Sequence, residues 1–150
     1  MSDKKRVESP PSELTTVVRM WPSRPILGPD VAERVRRVPG GPVYWLHVLQ
    51  QQPAPDGLRL ATRKCRKDVL ERLQWDGDDV WRAFLALRAE HYRGSSWCQI
   101  TDQFWLPCDA YALPDYDDGY DPEARIEIYM KFGVSSNGRL LLMVSCHPSG

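Results

Sequence analysis

Apolar and polar residues alternate most regularly in the last quarter of the chain. From residue 125 to residue 134 every second side chain is apolar, and β-branched and aromatic residues are frequent. Alternation with period two predicts a β-strand with one buried face. Residues 139–147 are almost continuously apolar up to Ser145, which predicts a second strand that is covered on both faces. Between the strands, Asn137 and Gly138 supply the positive φ angles of a tight hairpin turn.

The length of the hairpin loop decides which side chains of the two strands share a face. Side chains alternate between faces, so a three-residue loop, 136–138, with Gly138 in a left-handed bulge, would place Tyr129 and His147 on the same face. A two-residue turn would instead place Cys146 beside Tyr129. We favour the three-residue loop, because glycine is preferred at its third position. The side chains that this loop brings together are Tyr129, Lys131, Ser145 and His147.

Helical periodicity precedes the hairpin in two segments. Thr62 is a suitable N-cap, and the apolar residues behind it recur at helical spacing, which predicts a helix at about 62–74. Asp76 is expected to cap a second helix at about 77–89, because the acidic residues that follow it complement the dipole of a first turn. A further strand is expected within 100–111.

The fold class predicted from these elements is α+β. We expect an antiparallel β-sheet that holds the C-terminal hairpin, 125–134 and 139–147, at or near its centre. The two helices, at about 62–74 and 77–89, pack on this sheet and cover the apolar face of the hairpin.

The beginning of the chain differs in composition from the remainder. Residues 1–42 are rich in proline, arginine and serine, which predicts an extended and partly flexible N-terminal extension. Within it, Asp30 is expected to cap a short helix over 31–37. A run of large apolar residues predicts a further helix within 42–52. The expected domain organisation is therefore an extension followed by one folded domain, 43–150.

Composition places the protein in the class of small globular proteins. Of 150 residues, 42% are hydrophobic and 27% are charged, and no run approaches the ~20 apolar residues that cross a membrane. No apolar segment follows the charged start, so we expect a cytoplasmic protein with no membrane association. No cluster of cysteine, histidine or carboxylate residues has the spacing of metal ligands, so no metal and no cofactor is expected. The four cysteines, expected to be reduced, are Cys65, Cys98, Cys108 and Cys146.

The net charge of the chain is zero, with 20 basic and 20 acidic residues, but the basic residues are unevenly spread. A cluster of this kind can bind phosphates. From charge alone, the solvated face of a helix is the better explanation. The clustered residues are Arg59, Arg63, Lys64, Arg66, Lys67 and Arg72.

Four blocks of sequence carry a family resemblance. The first is Leu-Ala-Thr-Arg at 60–63, and the second is the acidic helix start at 73–80 that runs on into Phe-Leu-Ala-Leu. The third is His-Tyr-Arg-Gly-Ser at 91–95. The fourth is Cys-Asp-Ala-Tyr at 108–111, followed by the hairpin strands with Ile-Tyr-Met-Lys and Val-Ser-Cys-His. In order and spacing these blocks resemble the MqsR family of toxin ribonucleases, which are relatives of the RelE-like fold.

The resemblance implies a RelE/MqsR-like α+β toxin domain that cleaves messenger RNA without a metal, within a type II toxin–antitoxin system. A cognate antitoxin protein would silence it. The family's lysine after Phe-Tyr falls on Arg93, its strand tyrosine on Tyr129 and its C-terminal lysine on His147. The family's glutamine falls on Cys108, so that amide is lost, although Gln103 is near in sequence.

Cleavage of RNA through its 2′-hydroxyl assigns a role to each of these residues. A base must take the hydroxyl proton, cations must stabilise the phosphorane, and an acid must protonate the leaving oxygen. His147 is the acid–base candidate, because imidazole titrates near neutral pH. Arg93 can bind phosphate bidentately, and Tyr129 can donate a hydrogen bond to phosphate or stack on a base. Further candidates for contacts to RNA are Arg63, Lys131 and Tyr92.

Two other functions are compatible with the same residues. A binding module that kept the fold, lost the chemistry and acts through a protein partner would explain the zero net charge, Cys108 and the acidic loop at 115–121. A thiol hydrolase would use Cys108 or Cys146 with His147. It ranks last, because nothing around either cysteine marks a nucleophile.

Overall fold

The computed structural model of the protein describes residues 16–28, 30–52, 57–121 and 123–149. The helices are α1 (Glu33–Arg36), α2 (Leu46–Leu49), α3 (Arg63–Lys67) and α4 (Gly77–Ala86). A π-helical segment, Asp68–Leu73, continues α3. The strands are β1 (Arg37–Val38), β2 (Leu58–Leu60), β3 (Tyr92–Thr101), β4 (Phe104–Tyr116), β5 (Ile126–Val134) and β6 (Leu141–Pro148). In these ranges, every helix is too short or too polar to cross a membrane.

The six strands form one sheet in the order β1-β3-β4-β5-β6-β2. The α+β class is therefore confirmed, and the hairpin β5–β6 lies fourth and fifth in the sheet. Four of the five strand pairs are antiparallel, as predicted, whereas β2 pairs in parallel with β6. Helices and three strands separate β2 from β6 along the chain, so no tight turn forces an antiparallel pairing between them.

Both predicted helix starts are confirmed by their caps. The Thr62 hydroxyl accepts from the Cys65 N–H at 3.0 Å, and Asp76 and Asp79 exchange side-chain-to-backbone bonds of 2.9 Å in a capping box. The helix that Asp76 caps ends at Ala86, before the predicted residue 89. Its last carbonyls are satisfied by the Gln50 side chain, which donates to the carbonyls of Phe84 and Leu87 at 2.9 Å.

The helices α2, α3 and α4 cover one face of the sheet, where the apolar residues of the hairpin are buried. Phe84 of α4 meets Phe132 of β5 edge to face, with ring centroids 5.0 Å apart. Ile128, Met130 and Met143 are fully buried beside them. We call the opposite side of the sheet the open face; it carries the side chains of Arg37, Ser96, Ala110, Tyr129, Lys131 and His147.

The described part of the N-terminal extension is docked on the domain. Val17 is 4% exposed and Val38 is 5% exposed, and both belong to the main core. β1 pairs with β3 and forms one edge of the sheet. The extension thus wraps around this edge from the helix-covered face to the open face. The prediction of flexibility for residues 1–15 lies outside the described residues.

Two predicted helices near the extension are wrong in their extent. The helix expected over 31–37 shrinks to α1, and Ala32 rather than Asp30 stands at its N-cap, because the chain turns into β1 at Arg37. The helix expected within 42–52 shrinks to α2. Val43 and Tyr44 are instead extended, because their N–H groups donate to the buried carboxylate of Asp109.

The strand expected within 100–111 is in fact a long hairpin. β3 and β4 pair from Tyr92 with Tyr111 to Thr101 with Phe104, so the second hairpin precedes the predicted one. Apolar side chains occur on both faces of the two strands, because Leu106 and Cys108 pack in a small second core on the open face, and this obscures the period-two pattern. The polar residues Thr101, Asp102 and Gln103, at the point where the hairpin turns, are the sequence signal that divides the two strands.

The loop between β5 and β6 is not the predicted three-residue loop. Val134 pairs with Leu141, which leaves six residues between them and places even-numbered residues of β5 opposite odd-numbered residues of β6. A β-bulge then changes this register between Lys131 and Phe132: Phe132 pairs with Met143, whereas Lys131 pairs with Ser145. Beyond the bulge, odd-numbered residues of β5 therefore lie opposite odd-numbered residues of β6. Tyr129 and His147 therefore share the open face, although the loop has an even length.

Candidate functional site

A cleft of about 550 Å³ lies on the open face, between the extension and the sheet. One wall is the segment 33–39, which includes α1 and β1. The other wall is formed by residues 93–96 at the start of β3, with Ala110 of β4 and Tyr129 and Lys131 of β5.

The side chains of the cleft are predominantly basic. Five cations and a single carboxylate, that of Glu33, line it. The whole chain has 20 basic and 20 acidic residues, so the cleft is a local excess of positive charge on a neutral protein. Within the described ranges, none of the lining arginines forms an ion pair with a carboxylate. The lining cations are Arg34, Arg36, Arg37, Arg93 and Lys131.

Tyr129 connects the cleft to His147. The two rings stack with centroids 5.3 Å apart and an angle of 29° between their planes, and the Lys131 Nζ lies 5.9 Å from the Tyr129 ring centroid. His147 does not line the cleft itself and lies on the far side of Tyr129. Its Nδ1–H donates to the Pro148 carbonyl at 2.8 Å, so the neutral ring has Nε2 as its acceptor nitrogen.

Lys131 stays a cation in this environment. Burial disfavours its charge, but Cys98, Tyr129 and Cys108 hold the pKa of Lys131 above its ordinary value. A permanently charged ammonium group suits the stabilisation of an anion, and it is a poor general base.

Two cysteines lie under the cleft on neighbouring strands. Ser96 pairs with Cys108 and Cys98 pairs with Leu106, so the two thiols face the same side in diagonal positions. The interaction with Cys108, helped by the positive charge of Lys131, outweighs burial and lowers the pKa of Cys98 below its ordinary value. Burial raises the pKa of Cys108. Cys98 is therefore the more acidic thiol of the pair.

This arrangement predicts selective alkylation of Cys98. At pH 7 we expect iodoacetamide to modify Cys98, which is 7% exposed, before the other three cysteines, with a midpoint below that of an ordinary thiol. Burial raises the pKa of Cys65 to about 12 and also raises that of Cys146. Peptide mass spectrometry over a pH series measures the four rates. Lys131→Met should move the Cys98 midpoint upward, and equal rates at all four cysteines of the folded protein would contradict the assignment.

The structure brings together some of the residues singled out in the sequence and leaves others apart. Arg93, Tyr129 and Lys131 line the cleft, and His147 stacks on Tyr129. The remaining candidates from the sequence lie elsewhere: Tyr92, Arg63, Gln103 and Cys108.

Each residue outside the cleft has a different position. The Tyr92 hydroxyl donates to Ser95 Oγ at 2.5 Å, and Ser95 donates to Asp109. Arg63 is exposed on the first turn of α3, and Gln103 is exposed in the turn between β3 and β4. Cys108 is fully buried below the cleft.

The pairing of a thiol with His147 is not present. Cys146 points into the core of the helix-covered face, whereas its neighbour His147 lies on the open face. Cys108 is buried below the cleft, two strands away from His147 in the sheet. The thiol hydrolase hypothesis therefore lacks the geometry that it needs.

Sequence reasoning missed the arginines of the extension. The run Glu-Arg-Val-Arg-Arg contains Arg34, Arg36 and Arg37, and its pattern predicts only a short helix over 31–37. Three arginines within four residues, just ahead of a Pro-Gly-Gly turn, were a usable signal for an anion-binding segment.

Comparison of the chain with known protein families, curated proteins and solved structures gave no match. The resemblance to the MqsR family therefore stays a prediction from the sequence blocks. Within the described ranges, no group of three or more His, Cys, Asp or Glu side chains is arranged to hold a metal ion.

Proposed function

We propose that the protein binds single-stranded RNA in the basic cleft and cleaves it through the 2′-hydroxyl without a metal, as an endoribonuclease toxin with an MqsR/RelE-like fold. One observation carries this proposal. The stacked pair of Tyr129 and His147 supplies an acid–base group directly beside a cleft that five cations line. Metal-free cleavage of a phosphodiester requires this combination of proton transfer and positive charge.

Each side chain of the site has a defined role in the proposed reaction. Nε2 of His147 accepts the proton of the 2′-hydroxyl, whose oxygen attacks phosphorus. Arg93 and Lys131 stabilise the phosphorane, and the Tyr129 hydroxyl donates a hydrogen bond to a phosphate oxygen. The bond from phosphorus to the 5′-oxygen breaks, this oxygen takes a proton from water, and the hydroxide left behind takes the proton held by His147. The products are a 2′,3′-cyclic phosphate and a 5′-hydroxyl.

The test uses the purified protein with single-stranded RNA in the presence of EDTA. We expect cleavage in EDTA to products with 2′,3′-cyclic phosphate and 5′-hydroxyl ends, identified by mass spectrometry. RNA with 2′-O-methyl groups should bind but remain intact, because it lacks the attacking hydroxyl. Intact RNA, or products with 5′-phosphate ends, would refute the reaction. As a toxin acting on messenger RNA in the cytoplasm, the protein should stop bacterial growth unless an antitoxin protein is co-expressed.

A second candidate function is a catalytically inactive binding module that acts through a protein partner. The specific observation in its favour is that Cys108, which replaces the family glutamine, is fully buried and offers nothing to the cleft. Under this hypothesis, expression is harmless and RNA stays intact. An affinity pull-down would then recover one protein in a fixed molar ratio.

A further inference from the structure

The segment that closes the cleft belongs to the N-terminal extension. α1 and β1 contribute Arg34, Arg36 and Arg37, whereas Arg93 and Lys131 of the central strands form the opposite side. Pairing of Arg37 with Ser96 and of Val38 with Ser95 fixes the segment against β3. The three arginines are thus held over the open face by backbone pairing.

Arg36 has a feature that points to a ligand. Its Nε–H is buried and has no hydrogen-bond partner, and it is the one such side-chain nitrogen or oxygen atom in the part of the chain that the structure describes. Buried donors are normally paired, because leaving one unpaired costs its full desolvation penalty. A guanidinium group in a basic cleft is completed most readily by an oxyanion, which accepts from two of its nitrogens at once.

The width of the sheet sets the length of ligand that the cleft can hold. β1 and β5 are separated by β3 and β4, so Arg37 and Lys131 stand three strand spacings apart, or about 14 Å at ~4.8 Å per spacing. A stacked nucleic-acid strand rises about 3.4 Å per nucleotide. The cleft therefore spans several successive phosphates, and Arg93 and Lys131 account for those nearest to Tyr129.

We propose that Arg34, Arg36 and Arg37 of the extension form a second phosphate-binding wall, which holds the RNA backbone several nucleotides away from the cleaved bond. This inference rests on the proposed function for the identity of the ligand. It assigns to the extension a binding role that the family resemblance does not cover, since that resemblance begins at Val43. The three arginines bind and position the strand, and they take no part in the chemical step.

The salt dependence of RNA binding tests this wall. The probe is a 12-nucleotide 2′-O-methyl RNA, which cannot be cleaved, titrated with the protein between 50 and 300 mM NaCl. For single strands the slope of log K against log salt is about −0.7 per neutralised phosphate. Replacing all three arginines by glutamine should therefore reduce its magnitude by about 2. Three lysines in the same positions should retain the slope, because they retain the charge.

A charge-matched control separates local binding from net charge. The variant Arg88→Gln/Arg125→Gln/Arg139→Gln loses the same three charges at exposed positions outside the cleft and should retain the wild-type slope. If the triple arginine variant does not fold, judged by its thermal transition, Arg34→Gln/Arg37→Gln removes only the two exposed arginines and should reduce the slope by about 1.4.

The outcomes for the wall and for the proposed function are distinguishable. If the wild type cleaves RNA and the triple glutamine variant keeps the wild-type slope, the proposal of a phosphate-binding wall is refuted and the proposed ribonuclease activity is supported. If the slope falls as expected but unmodified RNA stays intact, the wall stands and the ribonuclease is refuted. If the wild type does not bind the probe at 50 mM NaCl, both are refuted.

Discussion

Replacing Arg93 or His147 by alanine should lower the rate of RNA cleavage by about 10²-fold or more, the usual scale for removal of a charge stabiliser or an acid–base group. Loss of His147 removes the nitrogen that takes the 2′-hydroxyl proton. Loss of Arg93 removes a bidentate cation from the phosphorane. Single-turnover cleavage of a short RNA measures both rates, and relief of growth arrest reports the same loss in cells.

Matched variants separate chemistry from folding and binding. Arg139→Ala removes an exposed arginine far from the cleft and should leave the rate unchanged. Arg93→Lys should recover part of the activity, since charge returns without the bidentate geometry. The His147→Ala variant should still bind 2′-O-methyl RNA as tightly as the wild type. Equal cleavage by the wild type and both alanine variants would point to a contaminating nuclease or to a different site.

The second large effect concerns stability and the buried carboxylate of Asp109. This residue is 0% exposed and accepts from the N–H groups of Val43 and Tyr44 at 2.9 and 3.0 Å and from the Ser95 hydroxyl at 2.6 Å. Asp109→Ala leaves three donors unpaired in the interior, which should cost about 3–5 kcal/mol of unfolding free energy. Urea denaturation followed by tryptophan fluorescence measures the loss, and a change below 1 kcal/mol would contradict the role of Asp109 as the anchor of the extension.

The variant Asp109→Asn, measured over a range of pH, provides the control for the stabilisation by Asp109. The amide keeps one acceptor oxygen but directs an NH₂ group at one of the donors. Asp109→Asn should therefore lose less unfolding free energy than Asp109→Ala. Burial raises the pKa of Asp109 above its ordinary 3.8. Folding therefore favours the protonated form of Asp109. The contribution of this residue to the free energy of unfolding is greatest below pH 3.8 and declines as pH rises through the raised pKa. The stability advantage of wild type over Asp109→Asn should shrink across that pH range.

Local signals predicted the elements that local interactions build. The caps at Thr62 and Asp76 are set by bonds that span three residues, and the strand after residue 125 alternates because one face is buried under α4. The course of the extension follows instead from Asp109, which holds Val43 and Tyr44 from a distance of more than 60 residues in sequence. No periodicity in the chain records a contact of that kind.

Only part of the candidate site was predictable from the sequence, because the rest depends on contacts between segments that are distant in the chain. Arg93 came from the family resemblance, whereas Tyr129 and His147 also came from the strand pattern, and their position on one face depended on the register of the hairpin. The loop length assumed for that register was wrong, and the bulge that corrects it has no sequence signature. The arginines of α1 were missed, because their place over the sheet depends on the pairing of β1 with β3.

The bulge in β6 also decides which kinds of genetic change the site can survive. Because Val144 is the extra residue, the face on which His147 lies depends on how many residues separate it from the turn. Substitutions along this strand alter packing but preserve that count. A one-codon deletion or insertion between Leu141 and Ser145 would instead exchange the sides of Cys146 and His147, moving an imidazole into the core and a thiol to the surface. Among related chains, length variation should therefore fall in the preceding loop, 135–140, where an added or lost residue leaves the pairing of Val134 with Leu141 and the bulge unchanged.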